Sequence, residues 1–299
     1  MPHVFILSSP RSGSTLTRLT LDKISGLVTL PETHFWVFKN FYNTYSLTKD
    51  IEFLADKWVN FYSIKKYPVN HNNLKNDIIN NAKSWKDILN ITSQHYLLTK
   101  FHNNIPENII VCEKSPPHIF YKAQIQYDYP DAKFIFLIRD PRDVVASLKT
   151  CSWSTSNPLI NALVWRNGVR NMHTTHNAMI VKYENLVNNP DTTLADICSF
   201  IGITYTGEIN YAVTEDVVEA NNPTSKNALK PISNKFISTY KTKLSSPDRE
   251  QEIIEKICSK EMIQLGYTIE KYKRNDLHLW LRIFYYRIGW LIAKFTKKK

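Results

Sequence analysis

The sequence predicts an α/β fold of the phosphate-loop type, three layers deep, with a central parallel sheet covered by helices on both faces. Three observations predict it. Apolar runs at residues 4–7, 109–112, 133–138 and 178–181 are continuous rather than alternating, as in strands buried on both sides. Segments of helical character separate them, in the alternation of βαβ units. The first run passes directly into a turn around Gly13, one of only seven glycines in 299 residues, and from there into a helix.

The elements follow in order. Residues 15–24 form the first expected helix. Residues 39–108 are rich in Asn, Lys and Tyr, lack strand signals, and read as a helical insertion with a long helix around 85–101. Further helices are expected at 141–150, 159–176 and 190–200. Pro141 and Pro190 stand where a first helical turn tolerates proline. A last helix of the body, roughly 247–265, stops at Gly266 as its C′ residue. There is no internal repeat and no low-complexity linker, so residues 1–269 read as one domain with an insertion at about 39–108.

Composition narrows the function classes. With 43% apolar residues the chain can bury a sizeable core, which excludes disorder over its whole length. Cys112, Cys151, Cys198 and Cys258 stand singly, without a CxxC pair. That excludes a disulfide scaffold and argues against a cysteine zinc site. Met1-Pro2-His3 runs straight into the first apolar run with no secretory signal pattern, so a cytoplasmic setting is expected. The excess of 38 Lys+Arg over 27 Asp+Glu, a net +11, asks for an anionic partner: nucleic acid, a membrane surface or a phosphorylated small molecule.

Two motifs narrow the choice. Leu7-Ser8-Ser9-Pro10-Arg11-Ser12-Gly13-Ser14-Thr15-Leu16 has the layout of a Walker loop, with Gly13 at the second glycine and Thr15 at the hydroxyl, but Ser14 at the lysine. Backbone N–H groups near Gly13 and the helix N-terminus suit a phosphate. Arg11 is the one cation in the loop. In the second motif the run at 133–138 ends in Arg139-Asp140-Pro141-Arg142-Asp143 and leads into a helix containing Ser147. Arg139 then lies where parallel sheets bind ligands, and Ser147, two turns into the helix, is placed to share a second phosphate with it. A P-loop kinase is a poorer fit, because the loop lysine is missing and no strand-end aspartate suits Mg²⁺.

With both motifs in view the chain resembles the sulfotransferases that use 3′-phosphoadenosine-5′-phosphosulfate (PAPS), most closely the tyrosylprotein and related bacterial enzymes. PRSGST looks like their 5′-phosphosulfate motif and FLIRDPRDVVASL like their 3′-phosphate motif, over roughly residues 3–37 and 107–267. The resemblance implies PAPS as donor, no metal, and a hydroxyl acceptor: a glycan, a tyrosyl peptide or a small molecule. It implies a donor site of Arg11, Ser12, Gly13, Ser14, Thr15, Arg139 and Ser147. Tyr183, in Val181-Lys182-Tyr183-Glu184-Asn185-Leu186, and Lys230, in a segment ending Lys230-Pro231, would complete it. Glu32, in Pro31-Glu32-Thr33-His34-Phe35, matches the general base, with His34 and His118 as rival bases. Lys114, in Glu113-Lys114-Ser115-Pro116, matches the lysine that assists transfer, beside Arg11. Cys151 stands where some relatives carry an arginine. The competing class is a non-catalytic nucleotide- or membrane-binding protein. Among the aromatic residues of the acceptor side, Trp36, Tyr42, Tyr45, Trp58 and Tyr62 suit a ring-bearing acceptor or the core equally.

The C-terminal segment departs from the resemblance. Leu277, Leu281, Phe284, Ile288, Leu291, Ile292 and Phe295 recur with helical spacing, and Arg282, Arg287 and Lys294 fall on the other side. Residues 277–296 read as an amphipathic helix for an anionic membrane surface, peripheral on the inner face, or as one docked on its own domain or on a second copy in a homodimer. Residues 270–299 carry nine basic and two acidic side chains, or +7, leaving 29 basic and 25 acidic elsewhere, or +4. The charge therefore does not ask for nucleic acid.

Overall fold

The structure is a computed structural model of the chain. It describes all residues except 1, 173–176, 208, 210–227, 245–246, 271–280 and 282–299. Five parallel strands form one sheet in the order β2-β3-β1-β4-β5: β1 Pro2–Ser8, β2 Leu27–Thr29, β3 Ile110–Lys114, β4 Lys133–Ile138 and β5 Ala178–Lys182. The central strands are apolar on both faces because both are covered. On one face Val4, Ile6, Ile135, Leu137 and Val181 pack with Leu21, Leu194, Ile197 and Ile201 from flanking helices. On the other Phe5 stacks on Phe134 at 6.0 Å and meets the edge of Trp36 at 5.6 Å. Alternate residues of β1 thus feed opposite faces, as strand pleating requires.

Four of the five strands coincide with the apolar runs of the sequence. β2 does not. It is three residues long, follows Gly26, and pairs with β3, too short to leave a pattern. Parallel pairing also carries β3 to Lys114 and β5 to Lys182, beyond the apolar residues themselves.

Helices α1 Ser14–Leu21 and α2 Phe35–Phe41 follow β1 and β2. The insertion contributes α3 Ile51–Val59, α4 His71–Asn81 and α5 Trp85–Lys100, gathered around Trp58, Leu74, Ile78, Ile88 and Leu89. Trp58 Nε1 donates to Thr92 Oγ1 at 2.8 Å, which satisfies its buried polar atom. Then come α6 Lys122–Asp128, α7 Pro141–Leu148, α8 Pro158–Arg170, α9 Tyr183–Asn188, α10 Pro190–Ile201, α11 Tyr240–Lys243 and α12 Pro247–Gln264.

The chain forms two compact units. The first, Met1–Arg139 with Gly168–Ile237, holds the whole sheet. In the second, Asp140–Asn167 with Ser238–Lys299, Arg142 pairs with Asp140 at 2.6 Å and Glu255 at 2.8 Å and lies over the ring of Tyr240. There the Asp143 carboxylate accepts the backbone N–H groups of Ser238 and Tyr240 at 2.8 and 2.9 Å. Gly266, at φ +70°, closes α12 with the paired bonds of a Schellman motif, Gly266 N to Ile263 O and Tyr267 N to Met262 O. No helix among the described residues is long and apolar enough to cross a membrane. The expected tail helix at 277–296 lies, Leu281 apart, outside the described residues.

Candidate functional site

The sheet order reverses direction at β1. After β1 the chain turns towards β2 and β3, whereas after β4 it goes on to β5. The crevice at the carboxyl ends of β1 and β4 is therefore the topological switch point, where open α/β sheets bind ligands. The loop after β1 and Arg139 after β4 both arrive there.

The loop is shaped for an anion. Arg11 and Gly13 both have positive φ, +68° and +92°, and α1 starts at once with Ser14. Its first N–H groups have no partner within the helix, and they carry the positive end of its dipole. Ser12 N donates to Ser9 O at 3.3 Å and Thr17 N to Gly13 O at 3.0 Å, which fixes the turn from both sides. Gly13 is required twice, by its left-handed backbone and by its neighbour: a Cβ there would stand 2.4 Å from Cδ2 of Tyr183. Ser8 and Ser12 bury hydroxyls that find no hydrogen-bond partner among the described residues. A phosphate-bearing ligand fits that donor set.

Arg139 lies beside the loop. Its guanidinium is 4.5 Å over the Tyr183 ring, and its Nη1 donates to Arg11 O at 3.2 Å. Nη2 donates to Phe236 O at 2.5 Å. Tyr183 thus separates Gly13 from Arg139 as a flat spacer, buried against both.

The third component comes from β3 and from the loop before α2. Lys114, the last residue of β3, is fully buried. Its Nζ lies 2.5 Å from Glu32 Oε1 and 3.4 Å from Thr15 Oγ1, so one ammonium joins the phosphate loop to the carboxylate. Burial by itself would raise the Glu32 carboxyl, but the charge of Lys114, then His34, and the hydrogen bond from Lys114 outweigh it. Glu32 is held ionised below the usual carboxylate range.

The two histidines differ. His34 is the N-cap residue of α2, with φ +53°, and its Nε2 is 3.5 Å from Glu32 Oε2. Burial, partly offset by the pull of Glu32, lowers it to about 4, leaving a neutral ring at neutral pH. His118 is fully buried; Nδ1 lies 2.8 Å from Glu113 Oε2, and Nε2 accepts the N–H of Trp36 at 3.3 Å. Both of its ring nitrogens are engaged, which leaves neither to take a proton from an acceptor.

The structure therefore brings Gly13, Arg11, Tyr183 and Arg139 together, and Thr15, Lys114 and Glu32 together. Ser12 lies in the loop and Ser14 opens α1, between the two groups. Lys230 stands exposed in a bend, and Ser147 lies in α7 of the second unit. One feature escapes the sequence reading: Glu113 is a fully buried carboxylate next to Lys114. Of the aromatic residues weighed between acceptor side and core, Tyr62 is 53% exposed and sets its ring 5.1 Å from that of His34. Trp36 and Trp58 are core. No group of three or more metal-ligating side chains occurs among the described residues.

Fold and site together define an α/β protein of the phosphate-loop class in which a carboxylate and a lysine meet the loop. The chain belongs to the sulfotransferase family, whose model matches residues 2–207. Among curated proteins it is 26% identical over 216 residues to a Caenorhabditis briggsae protein named "Putative protein-tyrosine sulfotransferase", covering 69% of this chain and 67% of that one. A Caenorhabditis elegans protein of the same name is 24% identical over 147 residues, covering 45% of this chain and 56% of its own length. This chain thus spans between about half and two thirds of those relatives. Among solved structures it resembles the sulfotransferase domain of the Synechococcus PCC 7002 olefin synthase, with a TM-score of 0.64 at 20% identity over 90% of this chain and 96% of that domain. The sulfotransferase domain from the curacin biosynthetic pathway gives 0.59 at 20% identity, over 90% and 99%. At this identity the likeness is one of fold.

Proposed function

We propose that the chain transfers a sulfuryl group from PAPS to a hydroxyl acceptor, with Glu32 as the general base. The observation that carries this reading is the continuous line Thr15–Lys114–Glu32, which places an ionised carboxylate and a buried ammonium against a phosphate loop. The bound donor supplies a sulfuryl group on its 5′-phosphate; the acceptor oxygen forms the new O–S bond as the phosphate–sulfur bond breaks. Glu32 takes the acceptor's proton. Lys114 stabilises the charge that appears on the leaving phosphate oxygen, the electrostatic role such sites depend on most. The loop N–H groups, Arg11, Ser12, Ser14 and Thr15 hold the 5′ end. Arg139, backed by Tyr183, takes the 3′-phosphate; Ser147 and Lys230 join the donor site on the strength of the sequence resemblance.

The exposed ring of Tyr62 beside Glu32 and His34 suits an acceptor that carries its hydroxyl on a ring, phenolic or sugar. The relatives named for protein-tyrosine sulfation put tyrosyl peptides first in the panel. The test is transfer of labelled sulfate from PAPS to peptides, glycans and small phenols, run beside labelled ATP. Transfer from PAPS alone is expected; transfer from ATP, or from neither, contradicts the reading.

A further inference from the structure

Glu113 is not needed by the chemistry above, yet it is a fully buried carboxylate one residue from Lys114. It accepts three hydrogen bonds. Thr33 Oγ1 donates to Oε1 at 2.6 Å, Ser115 Oγ to Oε1 at 2.7 Å, and His118 Nδ1 to Oε2 at 2.8 Å. Each of those donors also accepts one backbone N–H at the start of α2. His34 N donates to Ser115 Oγ at 2.9 Å, Phe35 N to Thr33 Oγ1 at 3.2 Å, and Trp36 N to His118 Nε2 at 3.3 Å. Three successive N–H groups of a helix start, normally left to caps or water, are tied through three side chains to one carboxylate.

This wiring has a fixed direction. A hydroxyl carries one hydrogen, and those of Thr33 and Ser115 are given to Glu113, leaving lone pairs for the two N–H groups. His118 accepts at Nε2, so its proton is on Nδ1 and points to Glu113. Only a group that accepts from all three satisfies the set. An amide at position 113 meets a donor with a donor on one side or the other. The network holds the segment that carries Glu32. Thr33 and His34 follow the base directly, while Tyr67 Oη donates to Pro31 O and Ser63 Oγ to Thr33 O, each at 2.6 Å. The backbone is thus fixed on both sides of Glu32.

We infer that Glu113 is a positioning residue for the base: through Thr33, Ser115 and His118 it fixes the start of α2 and so the place of Glu32 against Lys114. The inference rests on the function proposed above. A base misplaced by about 1 Å costs on the order of 10²-fold in rate, so Glu113→Gln is expected to lower kcat by roughly 10- to 100-fold. Ser115→Ala, which removes one link, lowers it less. The donor product 3′-phosphoadenosine-5′-phosphate (PAP), titrated by calorimetry, should bind both variants as it binds the parent, because the loop after β1 is untouched. Amide exchange at His34, Phe35 and Trp36 should accelerate in Glu113→Gln, and at His34 in Ser115→Ala. In a Glu32→Gln background, either second substitution should leave the residual rate unchanged, since the group it positions is already gone.

Three results would overturn the inference: a parental kcat in Glu113→Gln, an equal loss in both backgrounds, or PAP affinity falling in parallel with rate. If Glu113→Gln does not fold, Ser115→Ala and its double variant decide by the same criteria. A parent chain that transfers nothing from PAPS overturns the functional reading instead, and this inference with it. The exchange of the three amides still reports separately on the wiring.

Discussion

Glu32 lies within ion-pair reach of both Lys114 and His34, and burial and neighbouring charge move its carboxyl and the His34 imidazole in ways that matter for the chemistry. Lys114 is buried with Glu32 as its close counter-charge, and its ammonium is the largest of the influences that pull the Glu32 carboxyl below its ordinary range. His34, buried and lowered to about 4, stays neutral at neutral pH. The sign for activity follows. A base whose pKa is depressed is competent above that value and is lost only as pH falls through it. In the proposed reaction the acid limb of kcat/KM should therefore fall below about 4.3, the ordinary glutamate value, with no inflection near 6.5, the ordinary histidine value. His34, lowered to about 4, would titrate in the same range, so the variants decide: Glu32→Gln should remove the acid limb of kcat/KM and His34→Asn should leave it in place, whereas the reverse pattern would make His34 the base.

At the scale of elements, what was legible in the sequence is what local patterning encodes. Four strands announce themselves as apolar runs, and the loop between β1 and α1 is a single contiguous motif, so Arg11 to Thr15 could be placed without a structure. The Glu113 network could not. Thr33 and Glu113 are 80 positions apart, and nothing in Glu-Lys-Ser-Pro distinguishes a carboxylate that organises a helix start from one facing solvent. Tyr62 is an intermediate case: the sequence offers it as one of five aromatic residues for acceptor or core, and only its ring lying against His34 singles it out among them. β2 was missed because three residues carry no period.

The C-terminal element is the opposite case: it is legible only as sequence. Its charge of +7 and its helical spacing of apolar residues are those of an interfacial helix. We propose that it binds an anionic membrane surface. Deleting residues 275–299 should abolish sedimentation with phosphatidylserine vesicles while leaving sulfate transfer intact. Unchanged sedimentation would refute the membrane role.

At the scale of the whole molecule, the proposed chemistry is gathered by one sheet. β1 delivers the loop, β3 delivers Lys114 and Glu113 side by side, β4 delivers Arg139, and the segment after β2 delivers Glu32. The strands that matter meet at the switch point because of their order, not their sequence neighbourhood. Family membership and fold fix the class of protein; the assignment of the base is the claim on which the rest depends. The measurement that tests it most directly is kcat of Glu32→Gln with PAPS and a working acceptor, with PAP affinity titrated alongside. The account predicts a loss of about 10²–10⁴-fold in kcat, the usual worth of a general base, with PAP affinity within about twofold of the parent. A variant that retains the parent's kcat would contradict it.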